Sequence, residues 1–201
     1  MVVLYHNLLE LAVICFALVI YMKRKLFISI NVPEKDRRRL VKALEKWQSL
    51  PIKWVREENL HITLAFLGFV DENMLNEICL KVSGASAESR IFDLEFSRWE
   101  LFPSVSDPRM VALIGEPNEN LRDLVNNIER ELEISKTPKK SFRAHITLGR
   151  IRKRKWADLE NKPAIDAEYL LSVSVESVDI MASDFDDEES EYVVIESCPL
   201  R

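Results

Sequence analysis

The sequence predicts an α+β protein built on a pseudo-two-fold duplicated plan, with two mostly antiparallel sheets flanking a central cleft and helices outside. Three observations predict it. The tetrapeptide His-Ile-Thr-Leu occurs twice, at His61 to Leu64 and at His145 to Leu148, and the two copies use two of the three histidines and two of the three threonines in the 201-residue chain. The landmarks around the copies repeat at one offset. Pro33 and Pro117, like His61 and His145, are 84 residues apart (117 − 33 and 145 − 61), and Ile30, Leu40, Val41 and Leu44 fall on Ile114, Leu124, Val125 and Ile128. Each half then reads strand, proline, amphipathic helix, loop and motif strand, with no Gly-, Ser- or Pro-rich linker between them.

Leu26 to Val32 alternates and ends at Pro33, as a strand closed by a residue without an amide donor. Leu40, Val41, Leu44 and Trp47 recur at helical spacing over about Glu34 to Gln48, leaving Arg37, Arg38 and Arg39 near solvent. Ile52 to Val55 reads as a short strand and Leu60 to Leu67 as a stronger one. In the latter, Leu60, Ile62, Leu64 and Phe66 form one face, and His61, Thr63, Ala65 and Leu67 the other. Asp71 is placed to cap a helix bearing Met74, Leu75, Ile78, Cys79 and Val82 that ends near Gly84. Strands follow at Ile91 to Trp99 and Met110 to Ile114, joined by a loop with Phe102, Pro103, Asp107 and Pro108 that borders the expected cleft. The second repeat supplies a helix from about Glu119 to Leu132 and a strand from Phe142 to Ile151, on which Arg143, His145, Thr147 and Gly149 share a face. Strands at about Glu176 to Ser183 and Tyr192 to Ser197 complete the plan. Two roles are open to the aromatic residues Phe66, Trp99, Phe102 and Tyr192 near the cleft, stacking on a base or filling the core, and core packing is expected for most of them.

At 47% hydrophobic content the chain can build one well-packed domain or two intimate lobes, and disorder is excluded. The net charge of −5 excludes a protein that coats nucleic acid generally. Yet Lys139, Lys140, Arg143, Arg150, Arg152, Lys153, Arg154 and Lys155 form a run without one acid around the second motif. Asp184 to Glu191 is an acidic stretch read as a solvated loop. Cys15, Cys79 and Cys198 have neither a disulfide-framework nor a metal-site spacing, so a reducing compartment fits best. Residues 1–22 form an apolar leader followed by Lys23, Arg24 and Lys25. Two readings of it stand: an anchor with a cytoplasmic body, or a working chain that starts at Met22. A cleaved signal peptide fits worse, because no positive charge precedes the apolar run.

A histidine and a threonine two positions apart on a strand point to one face, so each motif presents a proton-transfer group beside a neutral hydrogen-bond donor. Imidazole, with a pKa of about 6.5, serves as acid or base near neutrality. The threonine hydroxyls can hold the non-bridging oxygens of a phosphodiester while one histidine takes a proton from water and the other protonates the departing oxygen. A lone histidine in an apolar strand is more often a hydrogen-bonded core residue. Repetition in register argues against that here. A zinc site would lack its third protein ligand, since no Cys or Asp sits at a matching offset on these strands.

The two motifs resemble the paired His-x-Thr-x motifs of the 2H phosphoesterase superfamily, and specifically its RNA 2′,3′-cyclic phosphodiesterase branch, also called the 2′-5′ RNA ligase family. Leu26 to Ile30 with Pro33 is similar to the family opening, Asn59 to Gly68 to its first signature, and Phe142 to Arg150 to its second. The likeness runs from about Lys25 to Leu200. It implies a single bilobal domain over residues 23–201, with both histidines in a central cleft. It also implies metal- and cofactor-free hydrolysis of a 2′,3′-cyclic phosphate RNA end to a 2′-phosphomonoester. Carried over by motif, His61 is the proton donor, His145 the proton acceptor, and Thr63 and Thr147 hold the phosphate. Arg150, at the family's arginine position, and Arg143 are candidate substrate-binding residues. On a regular strand Arg150 would face away from His145, which calls for a bulge or a buttressing role. Ala144 stands where the family commonly has proline, and the acidic loop where it has a glycine-containing turn. A cytoplasmic monomer with RNA as its partner is the resulting expectation. The alternatives are a phosphodiesterase for a small cyclic-phosphate nucleotide or ADP-ribose cyclic phosphate, and a non-catalytic nucleotide- or RNA-binding module.

Overall fold

The computed structural model describes residues 23–134, 142–183 and 192–201; the apolar leader, the acidic loop, and Lys139 and Lys140 lie outside them. Nine strands are found among the described residues: β1 (Lys23–Asn31), β2 (Ile52–Trp54), β3 (His61–Asp71), β4 (Phe92–Phe102), β5 (Met110–Gly115), β6 (His145–Ile151), β7 (Ala167–Val175), β8 (Ser177–Ser183) and β9 (Tyr192–Pro199). Four helices accompany them: α1 (Glu34–Leu44), α2 (Leu75–Ala87), α3 (Glu119–Glu131) and α4 (Lys153–Ala157). All strand pairs are antiparallel. The mixed fold expected from the sequence is present, and its two sheets are the halves of one continuous sheet in the order β7-β4-β5-β6-β3-β1-β8-β9, with β2 added to β6.

The pseudo-two-fold relates β3-β1-β8-β9 to β6-β5-β4-β7. Strands β3 and β6 meet at one residue pair, Ile62 opposite Ile146, both wholly buried. They meet so narrowly because β5 occupies one edge of β6 while β3 and β2 divide the other. Gly149 makes room for β2. A Cβ there would stand 2.5 Å from Ile52 Cγ2 and 2.8 Å from Trp54 Cε3. Gly149→Ala is therefore expected to destabilise the fold by about 1–3 kcal/mol, read as a lower urea midpoint with an unchanged slope.

Helices pack on the face that carries Ile62 and Ile146, and they cross between halves. The turn after α1 sets Trp47 edge-on against Trp99 of β4 at 5.6 Å, while α2 and α3 cover β3, β8 and β9. Asn118 caps α3, its Oδ1 accepting from Leu121 N at 2.9 Å, and Leu121, Leu124, Val125 and Ile128 face the core. Among the described residues no helix is long and apolar enough to cross a membrane.

Several boundaries differ from the sequence expectation. Helix α2 runs through Gly84 to Ala87, and Asp71 makes no side-chain cap. Strand β7, unpredicted, has the period-2 burial of Leu171, Val173 and Val175. Helix α4 interrupts a charged run that carries only Trp156 as its buried anchor. The offset of 84 holds for the motif strands but not for β1 and β5. Asn31 and Ile30 lie opposite His61 and Ile62, whereas Ile114 and Leu113 lie opposite His145 and Ile146. Ile30 thus corresponds to Leu113, one position short of the Ile114 that matching residue types suggests.

Candidate active site

Each motif strand carries a β-bulge at the same repeat position. Ile28 and Ser29 pair with Ala65 and Thr63, so Leu64 is the extra residue of β3; Val111 and Ala112 pair with Gly149 and Thr147, so Leu148 is the extra residue of β6. A bulge reverses the alternation beyond it. His61, Thr63 and Phe66 thereby share a face, as do His145, Thr147 and Arg150. The bulge answers the orientation problem of Arg150. It also corrects the assignment of Phe66 to the apolar face: the ring is 72% exposed, and buried Ala65 takes the inward position.

Around the Ile62–Ile146 junction, antiparallel pairing sets His61 across from Thr147 and Thr63 across from His145. All four side chains rise on the face away from the helices, and all are partly buried. His61 Nδ1 donates to Asn59 O at 2.7 Å and His145 Nδ1 donates to Arg143 O at 2.9 Å, each to the carbonyl two residues upstream. A carbonyl oxygen only accepts, so each Nδ1 carries the proton and each Nε2 is left to react. Thr63 Oγ1 donates to His61 Nε2 at 3.0 Å. Thr147 Oγ1 points to Met110 Sδ at 3.5 Å, a weak acceptor that a phosphoryl oxygen would readily displace.

Burial holds the His61 imidazole below its ordinary pKa. The hydrogen bond to Asn59 opposes this, and the nearby positive charges of His145 and Arg150 reinforce it. The second histidine and the arginine are thus close enough to act on the first. Arg143 makes a 3.4 Å contact with Glu100 and lies over the Phe102 ring, which stacks on His145 at 4.9 Å.

Sequence reasoning missed the surroundings of both histidines. Phe27 and Tyr192 pack against His61 at 5.0 and 5.4 Å, so Tyr192, Phe66 and Phe102 belong to the site face, and Trp99 alone of the four aromatics singled out from the sequence is core. Asn31, opposite His61, donates to Asp179 Oδ2 at 2.7 Å. Burial pushes the Asp179 carboxyl above the usual range, against hydrogen bonds from Ser197 and Asn31. Glu100 and Asp179 are cross-strand neighbours of Ala112 and Ser29, and so occupy equivalent places in the two halves. Their different residue types hide that equivalence in the sequence.

Two archaeal proteins named RNA 2′,3′-cyclic phosphodiesterase are each 30% identical to this chain. The one from Methanocaldococcus jannaschii matches over 64% of this chain and 72% of its own length, and the one from Archaeoglobus fulgidus over 65% and 74%. The sequence model described as LigT like Phosphoesterase matches residues 30–112. The chain belongs to the LigT-like phosphoesterase family. The fold of this phosphoesterase agrees: the crystal structure of TT0787 of Thermus thermophilus superposes with a TM-score of 0.75 at 26% identity, covering 88% of this chain and 98% of that one. The E. coli LigT structure complexed with NADP+ gives 0.71 at 24% identity, covering 89% and 98%. Among the described residues no group of three His, Cys, Asp or Glu side chains is placed to hold a metal ion.

Proposed function

We propose that this phosphoesterase hydrolyses RNA 2′,3′-cyclic phosphate ends to 2′-phosphomonoesters by two-histidine acid–base catalysis without a metal. The observation that carries the reading is the matched tautomer of the two rings. Both Nδ1 atoms are tied to backbone carbonyls, which leaves two Nε2 atoms free of the backbone on strands that meet at the β3–β6 junction, that of His61 in contact with Thr63. Relatives named for this activity support the substrate. His145 Nε2 takes a proton from water as the water oxygen bonds to phosphorus. The bond from phosphorus to the 3′ oxygen breaks, and His61 Nε2–H protonates that oxygen. Thr63 and Thr147 donate to the non-bridging oxygens, and Arg150 and Arg143 offset the anionic charge. Solvent exchange then resets both rings. A 5′-hydroxyl in place of water would give a 2′-5′ linkage by the same steps.

The lowered pKa of His61 fits a proton donor that is charged by its own substrate, because a bound phosphate monoanion favours the imidazolium. Arg150 acts the other way in the free protein. Removing its charge in Arg150→Gln relieves repulsion of protonated His61 and raises that pKa. The proton donor then survives to higher pH, so the alkaline limb of kcat/KM moves upward while the maximum rate falls. A limb that moves downward would assign the acid role to another group.

We assign the activity to residues 23–201 as one domain acting as a monomer, since one chain supplies both histidines. A reducing, cytoplasmic setting suits the free thiols of Cys79 and Cys198. The trial is an oligonucleotide ending in a 2′,3′-cyclic phosphate, incubated with protein held in excess chelator. Conversion to the 2′-phosphate is expected. Unchanged substrate defeats the proposal, and tight binding without product would indicate a binding module instead.

A further inference from the structure

The pseudo-two-fold that matches the histidines fails at the two ends of the seam between β3 and β6. Because these strands are antiparallel, Phe66 and Arg150, equivalent in the repeat, lie toward opposite ends of it. Beyond Phe66 the first repeat continues with Gly68, Phe69, Val70 and Asp71, where Phe69 is 58% exposed. Beyond Arg150 the second repeat has Arg152, Lys153, Arg154 and Lys155 at the same positions, all exposed. On β1, which neighbours the Phe69 end, Lys23 and Arg24 are paired with Asp71 and Glu72 at 3.8 and 2.9 Å, which leaves Lys25, opposite Phe69, as the cation of that end without an ion pair among the described residues, against a run of them at the other end. Arg143 does not cancel the contrast, since it lies against Glu100.

The cationic end is built by three elements. Strand β6 brings Arg150 onto the histidine face through its bulge, β2 sets exposed Lys53 opposite Arg150, and α4 carries Lys153, Arg154 and Lys155 around buried Trp156. Lys153 contacts Asp107 at 3.5 Å. Among the described residues Arg150, Arg152, Arg154 and Lys155 make no ion pair. In a chain of net charge −5, a run of cations without ion pairs among the described residues, continuing from Arg150 along the end of β6 into α4, fits a polyanion that is continuous with the reacting phosphate.

We propose that the RNA chain attached to the reacting end leaves the site over β6, β2 and α4, with Arg152, Arg154 and Lys155 contacting successive phosphates upstream of the terminal ribose. This deepens the reading of the same site as an RNA cyclic phosphodiesterase and rests on it. Arg150 addresses the reacting phosphate and the outer three the chain. The enzyme is therefore selective for oligonucleotides over mononucleotides, and the preference disappears at high salt. At the Phe69 end Lys23 and Arg24 are held by Asp71 and Glu72 and only Lys25 is left among the described residues, so the substrate enters in one orientation despite the near-symmetry of the four central side chains.

The test compares the full chain with a triple variant, Arg152→Gln, Arg154→Gln and Lys155→Gln, and with a control triple on the exposed lysines Lys25→Gln, Lys35→Gln and Lys42→Gln. Substrates are a 2′,3′-cyclic mononucleotide and a ten-residue RNA ending in the same group, followed across a salt series. Binding of the RNA is measured in parallel by fluorescence anisotropy. For the site triple, KM on the RNA is expected to rise about tenfold at low salt. The log–log salt slope of binding should become shallower by roughly 2, at about 0.7 for each phosphate no longer neutralised. Turnover of the mononucleotide and kcat on the RNA should not change. The proposal is overturned if the RNA is bound and cleaved as before, if both substrates suffer equally, or if the control triple has the same effect. Should the unaltered protein cleave neither substrate, the hydrolase reading fails, and the anisotropy series alone decides whether the track exists.

Discussion

Replacing either histidine with alanine is expected to lower kcat/KM on a 2′,3′-cyclic phosphate by about 10³- to 10⁴-fold, since general acid–base catalysis contributes up to about 10⁴. The two losses should not add. Once one proton transfer is gone, the in-line displacement can no longer use the other, so the His61→Ala, His145→Ala double variant should be little worse than either single one. Thr63→Val and Thr147→Val keep shape and remove only the donor, and each is expected to cost about 10²-fold. The split between kcat and KM separates the roles: histidine loss acts on kcat, and loss of Arg143 or Arg150 raises KM as well. The fold should be indifferent to these changes, because all four central side chains are only partly buried. Circular dichroism and the thermal midpoint check that point. A histidine variant that retains most of its activity with an intact fold would remove that ring from the chemistry.

Ile62→Ala is the second large effect expected, and it acts through the fold. Ile62 is wholly buried and forms with Ile146 the one residue pair that joins β3 to β6, with His61 and Thr63 on either side of it. Truncation of such a residue costs about 2–5 kcal/mol, the spread reflecting how far the cavity can collapse. Between β3 and β6 themselves no second pair shares the load, because β2 occupies the rest of that edge of β6. The folded fraction should also lose activity, since any slip between β3 and β6 separates His61 from His145. Ile62→Val, costing about 0.5–1.5 kcal/mol, should keep nearly full turnover below its melting temperature. Denaturation midpoints paired with rates per folded molecule would reveal the coupling. An Ile62→Ala protein with full activity per folded molecule would mean that the site does not depend on this pair.

The motif strands were legible because their chemistry-bearing residues are rare in this chain and repeat at one spacing. The central four side chains follow from that repetition alone. The bulges were not legible. Leu64 and Leu148 look like ordinary members of an alternating strand, and a single extra residue carries no compositional mark, yet it decides whether Phe66 and Arg150 face the helices or the site. The repeat offset failed between β1 and β5 for a related reason: matching isoleucines at 30 and 114 suggested a register that the hydrogen-bonded pairing moves by one. The long-range partners were hidden too. Nothing local ties Asn31 to Asp179 across 148 positions, or Arg143 to Glu100 across 43; those pairs exist only once the sheet order is known. Strand β7 shows the opposite case. Its alternation of Leu171, Val173 and Val175 was available in the sequence, between serine and glutamate neighbours, and was passed over.

The central claim is that one anion occupies a pocket shared by both rings. Titrating inorganic phosphate into the protein while following the imidazole signals of His61 and His145 by NMR tests it. A shared pocket predicts that both rings respond with one dissociation constant at one phosphate per chain, and that the pKa of His61 rises toward or above its ordinary value as the anion arrives. Response of one ring only, or two independent saturations, would contradict it.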